Sequence, residues 1–300
     1  MRPIATAAAI YRNLTGRNRP PEYSLSVDFP VNPRPRYGYG RPAHARLAQI
    51  LDARRETYRS ILESFLAFRS DLWRIAQAPA GDPRSPVWVN GFIPGLDSIS
   101  LYSLIRLHRP RLYVEIGSGN STRFARRAID DGRLETKIIS VDPHPRVEIR
   151  PIADRLIEQP VEDIPLDIFD SLQSGDLLFV DNSHRVFTNS DVTVVFLDIL
   201  PNLKPGVLVH FHDIFLPEDY PPAWNQRYYS EQYLVACHLL ARTQCFEVLL
   251  ANMFISRDPQ LSALAAPLWD HPSMQGVERH GCSFWVRIKE DSTHNPNARG

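Results

Sequence analysis

After Pro110 the sequence alternates short apolar runs with segments of helical periodicity. Such alternation is typical of an α/β fold, in which a mostly parallel sheet carries helices on both faces. The pattern predicts seven strands and four intervening helices. The predicted strands are 111–116, 137–141, 155–158, 176–181, 206–211, 246–251 and 283–288, and the predicted helices are 122–131, 164–172, 188–200 and 230–242.

The part of the chain before the sheet divides into two regions of different composition. Residues 1–42 are rich in proline, arginine and tyrosine, which predicts an extended arm that wraps the domain or stays mobile. Residues 43–94 form a predicted N-terminal helical region, because apolar residues recur at helical spacing between 43 and 75. We expect a Rossmann-like domain over 95–290 and a tail over 291–300. Residues 256–281 lack clear periodicity and are expected to form an insertion, either a lid or an oligomer contact.

Composition limits the class of partner. The 34 basic side chains balance the 34 acidic ones, so no overall field attracts nucleic acid or an anionic membrane, and a small-molecule partner is expected. Cys237, Cys245 and Cys282 match neither a zinc-type pair nor a disulfide framework, which favours reduced thiols. With no export signal or membrane span in the sequence, a cytoplasmic location is expected. Homo-oligomer formation stays open.

A glycine loop joins the first predicted strand to a helix. Gly117-Ser118-Gly119-Asn120-Ser121 follows the strand, and glycines there let the backbone approach a ligand while the helix N-terminus attracts an anionic group. The dinucleotide fingerprint requires a third glycine where this chain has Thr122, which disfavours NAD. Asp142, at the end of the next strand, can accept the hydroxyls of a ribose. A nucleoside without a pyrophosphate is the better expectation.

The segment Glu115-Ile116-Gly117-Ser118-Gly119 resembles motif I of class I methyltransferases, and Asp142 resembles their ribose-binding acid. The resemblance extends over about residues 95–288 and implies a Rossmann-like fold that binds S-adenosylmethionine. By this resemblance the loop would hold the methionine part of the cofactor, Asp142 the ribose and Glu162 the adenine. The implied cofactor-binding residues are Glu115, Gly117, Ser118, Gly119, Ser121, Asp142, Glu162 and Asp181.

Acidic residues and histidines follow two later strands. Asp181 and His184 come after one strand, and His212 and Asp213 after the next. Ligands of open α/β sheets bind outside the carboxyl ends of the strands, so we expect these side chains to face one crevice. His184 is the candidate general base, and Asp181 and Asp213 are further catalytic candidates. Asp181, His212 and Asp213 could together bind a divalent ion, with Mg²⁺ or Mn²⁺ suiting the oxygen ligands.

These motifs resemble small-molecule O-methyltransferases of the catechol type and, more closely, the metal-dependent methyltransferases of macrolide sugars. Their D-x-S-H motif matches Asp181 and His184, whereas their second metal segment, an acidic pair or Asp-Asn, is replaced here by His212 and Asp213. The resemblance implies O-methylation of a small hydroxylated molecule, such as a sugar or secondary metabolite, and leaves metal dependence open. Two alternatives remain: a metal-dependent hydroxylase or hydrolase on the same scaffold, and a non-catalytic binding protein that retains the fold.

Overall fold

The computed structural model describes residues 28–78, 82, 84–241 and 245–290. Helices precede the sheet: α1 (Ala45–Asp52), α2 (Arg55–Phe65), a 3₁₀ turn (Leu66–Phe68), α3 (Arg69–Leu72) and α4 (Gly95–His108). The predicted helical periodicity over 43–75 therefore corresponds to several short helices. No helix within the described residues has both the length and the apolar character needed to cross a bilayer.

The seven strands are β1 (Leu112–Ile116), β2 (Lys137–Val141), β3 (Arg155–Ile157), β4 (Leu177–Val180), β5 (Leu208–Phe211), β6 (Phe246–Ala251) and β7 (Phe284–Ile288). Between β1 and β6 lie the α-helices α5 (Asn120–Gly132), α6 (Asp167–Asp170), α7 (Asp191–Val194) and α8 (Glu231–Leu240). The same connections contain a π-helical segment (Val195–Ile199) and the 3₁₀ segments Val161–Asp163, Leu200–Asn202 and Pro222–Arg227. The last connection holds α9 (Asn252–Arg257), α10 (Pro259–Leu264), α11 (Ala266–Trp269) and a 3₁₀ turn (Pro272–Met274).

The strands form one sheet in the order β3-β2-β1-β4-β5-β7-β6. The first five of these run parallel, and β7 is antiparallel to both β5 and β6. The predicted α/β fold class with a mostly parallel seven-stranded sheet is confirmed. After β3 the chain returns to the other side of β1, so β1 and β4 flank a topological switch point, where open α/β sheets bind their ligands.

The N-terminal helices and the sheet share one hydrophobic core. Tyr58 and Leu62 of α2 belong to the same buried cluster as Leu178 of β4 and Trp285 of β7. Burial of these side chains removes apolar surface of both regions from water at the same time.

The described end of the predicted arm is attached to the loop after β5. The backbone N–H groups of Arg36 and Tyr37 donate to Asp219 Oδ2 at 2.6 and 2.9 Å, and Gly38 packs against Glu218. This part of the arm therefore wraps the domain. Residues 1–27, the predicted tail 291–300 and the last residue of the helix predicted over 230–242 lie outside the described residues.

Two local expectations are corrected. Residues 256–281, expected as an aperiodic insertion, contain helices of only four to six residues, and Leu261, Leu268 and Met274 are buried in the main core. Helices this short show no full period in the sequence, which hides their buried face. The helix predicted over 188–200 begins at Asp191, because the Ser190 side chain caps it by accepting from the Thr193 N–H, and it continues as a π-helix.

Candidate active site

Glu115 lies beneath the glycine loop and is fully buried. Its carboxylate accepts hydrogen bonds from the hydroxyls of Tyr113, Ser121, Thr122 and Ser140 at 2.5–3.4 Å. Burial raises the pKa of Glu115 to about 7, although the Ser140, Thr122 and Tyr113 hydroxyls lower it. Glu115 was expected as a cofactor contact. In the structure its oxygens face the loop's own hydroxyls, so we expect it to act on a cofactor through the loop.

Asp142 joins the end of β2 to the loop. Its Oδ2 accepts from the backbone N–H and the hydroxyl of Ser118, both at 2.8 Å, and its Oδ1 accepts from the His144 N–H at 2.8 Å. A carboxylate offers about four lone-pair positions, so one remains free on Oδ1. One ribose hydroxyl can use that position, and a second can replace the Ser118 hydroxyl.

Gly117 brings the loop into direct contact with the end of β4. Its φ is +81°, and a Cβ placed there would lie 1.9 Å from the backbone oxygen of Asp181, so only glycine fits. A Cβ on Gly119, in contrast, would meet no atom of the described residues within 4 Å. The loop is therefore fixed on one side and open on the other, at the switch point of the sheet.

These features fit S-adenosylmethionine. The open side of the loop leads into the N-terminus of α5, a helix of 13 residues whose first N–H groups favour a carboxylate. The Ser121 hydroxyl donates to Glu115 at 3.4 Å, so this residue would meet a cofactor carboxylate with its backbone. Asp142 supplies the acceptor for a ribose one strand away.

Glu162 stands in the 3₁₀ turn after β3, where an adenine contact was expected. The side chain is half-buried, and this burial raises its pKa, with the negative charges of Asp191 and Asp163 adding to the effect. The turn packs beside α7. Glu162 thus lies after the third strand, and its contact with an adenine stays a prediction.

His184 is the centre of a buried polar cluster at the ends of β4 and β5. Its Nδ1 lies 2.8 Å from Glu231 Oε2, and its Nε2 lies 3.3 Å from Asp181 Oδ1 and 3.6 Å from Asp213 Oδ2. The ring also contacts Tyr229, with ring centroids 4.7 Å apart. The structure thus brings together the three residues predicted as catalytic, Asp181, His184 and Asp213.

The backbone of this cluster is strained at two positions. His184 and Asp213 have φ angles of +59° and +56°, a region that residues other than glycine seldom adopt and that is concentrated at functional sites. Hydrogen bonds hold the first of them: the His184 N–H donates to Asn182 Oδ1, and the His184 carbonyl accepts from the Ser230 and Glu231 N–H groups. The imidazole is therefore positioned by its own loop and by the start of α8.

The charges of the cluster support each other. Burial alone would lower the pKa of His184, but Asp181 and Glu231 raise it well above its usual value. Burial likewise raises the pKa of Asp181, yet His212 and His184 outweigh it and hold that pKa well below its usual value. These shifts favour the protonated imidazole and the ionised Asp181 carboxylate. In that charge state His184 can accept a proton only after its Nε2 proton has passed to a carboxylate or to solvent.

The predicted metal set of Asp181, His212 and Asp213 stays a prediction. His212 Nδ1 lies 3.6 Å from Asp181 Oδ1 and 3.5 Å from Asp213 Oδ1, so the imidazole stands between the two carboxylates as their ion-pair partner. In the described part of the chain, the one group of three metal-ligating side chains whose atoms all lie within 4.8 Å is Asp97, His212 and Cys282. Asp181 and Asp213 are not members of it.

Sequence reasoning missed Glu231 and Asp97. Both are fully buried acids, and both contact a predicted site histidine. Glu231 is 47 residues from His184, and an acid in the first turn of a helix ordinarily indicates only a favourable helix dipole. Asp97 lies within the apolar helix α4. Buried acids are rare without a partner, so an acid in this apolar segment could have indicated a site residue.

Comparisons with known proteins agree with this geometry. Residues 114–214 match a family model described as a methyltransferase domain, a range that contains the glycine loop, Asp142, Asp181, His184 and Asp213. No curated protein matches the sequence.

Two solved structures illustrate the similarity to known folds. The Podospora anserina methyltransferase PaMTH1, solved with S-adenosylhomocysteine, is 18% identical with a TM-score of 0.41, and the match covers 85% of this chain and 100% of that one. An O-methyltransferase from Bacillus cereus, also solved with S-adenosylhomocysteine, is 14% identical with a TM-score of 0.38, covering 77% and 91%. Similarity at this level says nothing of the acceptor.

The family match and the switch-point site lie in the same part of the chain. The loop, the ribose-type acid and the polar strand ends all lie in the matched range. Over residues 114–214 the chain is therefore similar to a methyltransferase domain, and the site at the switch point of the sheet lies within that range.

Proposed function

We propose that the protein methylates an oxygen atom of a small hydroxylated molecule. The observation that supports this most is the contact of His184 with three carboxylates, directly beside the cofactor loop. A hydroxyl group loses its proton when it is methylated, so the reaction needs a proton acceptor aligned with the attacking oxygen. The cluster supplies acceptors at the end of β4 and at the end of β5.

Each residue of the cluster has a distinct task in this proposal. S-adenosylmethionine, when bound, supplies the electrophilic methyl group on its sulfonium. Asp181 and Asp213 accept a hydrogen bond from the acceptor hydroxyl, and His184 takes up the proton once its Nε2 has been freed. Glu231 holds the opposite ring nitrogen at 2.8 Å, which fixes the orientation of the imidazole.

An aromatic group next to the cluster provides a wall for the acceptor. Tyr229 contacts His184 and packs edge-on against Trp224 and Tyr220. The guanidinium of Arg227 lies 4.0 Å from the Trp224 ring centroid. Rigid aromatic rings beside a few polar groups are typical of small-molecule pockets. This surface supports an acceptor with an apolar or ring-shaped body.

The alternatives have less support. A hydroxylase or hydrolase is not favoured, because residues 114–214 match a methyltransferase domain. A non-catalytic protein would have no need of the strained, fully paired His184.

The test follows the label from the cofactor to the product. S-adenosylmethionine with a deuterated methyl group is incubated with the protein and a panel of sugars, phenols and catechols, and products are located by mass spectrometry. We expect label on oxygen, and we expect His184→Ala to reduce kcat by roughly 10²–10⁴-fold with cofactor affinity unchanged. His280→Ala, at an exposed position, is the control. Label found on nitrogen, sulfur or carbon would contradict O-methylation.

A further inference from the structure

Three metal-ligating side chains from distant parts of the chain meet beside the candidate active site. Asp97 comes from α4, His212 follows β5, and Cys282 precedes β7. Their ligand atoms lie within 4.8 Å of one another, and all three residues are buried. Of the three, only His212 belongs to the metal set that was expected from the sequence.

Two of the separations are close to those of a tetrahedral metal site. Asp97 Oδ2 lies 3.5 Å from Cys282 Sγ and 3.8 Å from His212 Nε2. Ligands of a tetrahedral Zn²⁺ ion, at their usual bond lengths, are about 3.3–3.6 Å apart. The third pair, His212 and Cys282, lies within 4.8 Å, so the three ligand atoms can converge on one ion after side-chain adjustment.

A second observation points to an absent ligand. His212 Nε2 is buried and has no hydrogen-bond partner within the described residues, and Asp97 Oδ2 at 3.8 Å is too distant for one. Buried polar atoms are nearly always paired, so an orphaned imidazole nitrogen aimed at a carboxylate and a thiol requires an explanation. A bound cation would be a partner for His212 Nε2.

The surroundings hold the Asp97 carboxylate in place between Cys282 and Asn252. Asp97 Oδ1 accepts from the Ser283 N–H and Asn252 Nδ2, and Oδ2 accepts from the Cys282 N–H, each at 2.8–2.9 Å. A Cβ on Gly281 would lie 2.2 Å from Asp97 Oδ1, so glycine permits this approach.

The second ring nitrogen of His212 also has the surroundings of a metal ligand. His212 Nδ1 faces the carboxylates of Asp181 and Asp213. A histidine that binds a metal commonly directs its other nitrogen to a carboxylate, which orients the ring.

We propose that Asp97, His212 and Cys282 bind one zinc-type divalent ion. A thiolate, an imidazole and a carboxylate together favour Zn²⁺ over Mg²⁺ or Mn²⁺, and three protein ligands leave a fourth position for water. On binding, the Cys282 thiol releases its proton to solvent and the thiolate forms the bond to the metal. The proposal does not depend on O-methylation, since metal binding is measured without an acceptor.

A purely structural role predicts a different behaviour. In that case the Cys282 thiol would remain protonated and donate to Asp213 Oδ1 at 3.3 Å and to Asp97 Oδ2. The protein would then purify without metal and would not bind added Zn²⁺ at this position.

The experiment measures bound metal directly. The full chain is treated with a chelator, desalted, supplied with Zn²⁺ or Mg²⁺ and desalted again, and metal is quantified by plasma mass spectrometry. We expect one Zn²⁺ and no Mg²⁺ per chain, with at least a hundredfold loss of Zn²⁺ affinity in Cys282→Ala and Asp97→Asn. Cys237→Ser, which alters an exposed thiol, should bind as the wild type does.

Replacement with Co²⁺ keeps the test decisive if a variant fails to fold. Co²⁺ bound to the wild type should show the near-ultraviolet absorption of a thiolate-to-cobalt charge transfer. Absence of that absorption, absence of stoichiometric Zn²⁺, or Zn²⁺ binding that persists in Cys282→Ala would each overturn the proposal. A protein that binds no Zn²⁺ but transfers methyl groups to oxygen would leave the proposed function standing while refuting this site.

Discussion

Glu231 acts together with Asp181 to raise the pKa of His184, the residue on which the proposed chemistry depends. It is fully buried, accepts from Asn182 Nδ2 at 2.9 Å, and faces His184 Nδ1 with its other oxygen. A buried carboxylate in this position stabilises the imidazolium and fixes which nitrogen faces the acceptor. Glu231 is therefore a positioning residue for His184.

Replacement of Glu231 by glutamine should lower the pKa of His184. The amide retains the shape of the side chain but removes the negative charge that favours the imidazolium. The measurement is an NMR titration of the His184 ring in wild type, Glu231→Gln and the exposed control Glu63→Gln. An unchanged His184 titration in Glu231→Gln would show that this carboxylate does not set the charge.

Glu115 gives a prediction about stability and pH. Its pKa of about 7 in the folded chain exceeds the ordinary value of 4.5, so the folded state binds the proton more tightly. This contribution to stability amounts to about 3 kcal/mol below pH 4.5 and is lost as pH rises through about 7. The difference in free energy of unfolding between wild type and Glu115→Gln should decrease by that amount over this range. A difference that is independent of pH would contradict the assignment.

The sequence could identify site residues that follow strands but not their distant partners. Asp181, His184 and Asp213 were predictable because the carboxyl ends of parallel strands meet at one edge of the sheet. The partners Glu231 and Asp97 were not, because nothing in a single sequence pairs residues 47 or more positions apart. Cys282 was interpreted as a plain thiol for the same reason.

We propose that the loop between β1 and α5 is the element that fixes the cofactor position. Gly117 has a left-handed backbone and lies directly against the backbone oxygen of Asp181. The turn after β1 is therefore packed against the end of β4. Movement of this turn would displace both the cofactor side and the acceptor side of the crevice.

Substitution of Gly117 by alanine should cost more than left-handed strain alone. The strain contributes about 1–2 kcal/mol, and the added methyl group would also collide with the Asp181 carbonyl. Gly276→Ala is the matched control, because its φ of +79° is nearly the same and a Cβ there meets nothing within 4 Å. Equal losses of unfolding free energy in the two variants, from chemical denaturation, would refute the role of the contact.

Element prediction succeeded where buried strands and long helices gave a clear period. The seven strands were predicted within two residues at each end, because their apolar runs end at turns or charges. The helices of region 256–281 were not predicted, because helices this short are recognisable only from the core that they cover.

At the scale of the whole molecule, one core connects the N-terminal helices with the sheet. Leu62 of α2 and Leu178 of β4 are both fully buried in it. The described residues should therefore unfold together.

Truncation of either leucine should shift the same unfolding transition. We expect Leu62→Ala and Leu178→Ala each to cost about 2–5 kcal/mol, while Leu197→Ala, whose side chain is 71% exposed, should change little. Guanidinium unfolding followed by circular dichroism and by tryptophan fluorescence provides the check. Two separate transitions, with Leu62→Ala moving only one, would show independent units.

Calorimetric titration with S-adenosylmethionine tests the central assignment most directly. We expect one bound molecule per chain. Asp142→Ala should weaken binding about tenfold to a hundredfold, because a charged acceptor of the ribose hydroxyls is lost. Asp198→Ala, at an exposed position, should bind as the wild type does. No binding at millimolar cofactor, or equal affinity in Asp142→Ala, would contradict a methyl-donor site at this loop.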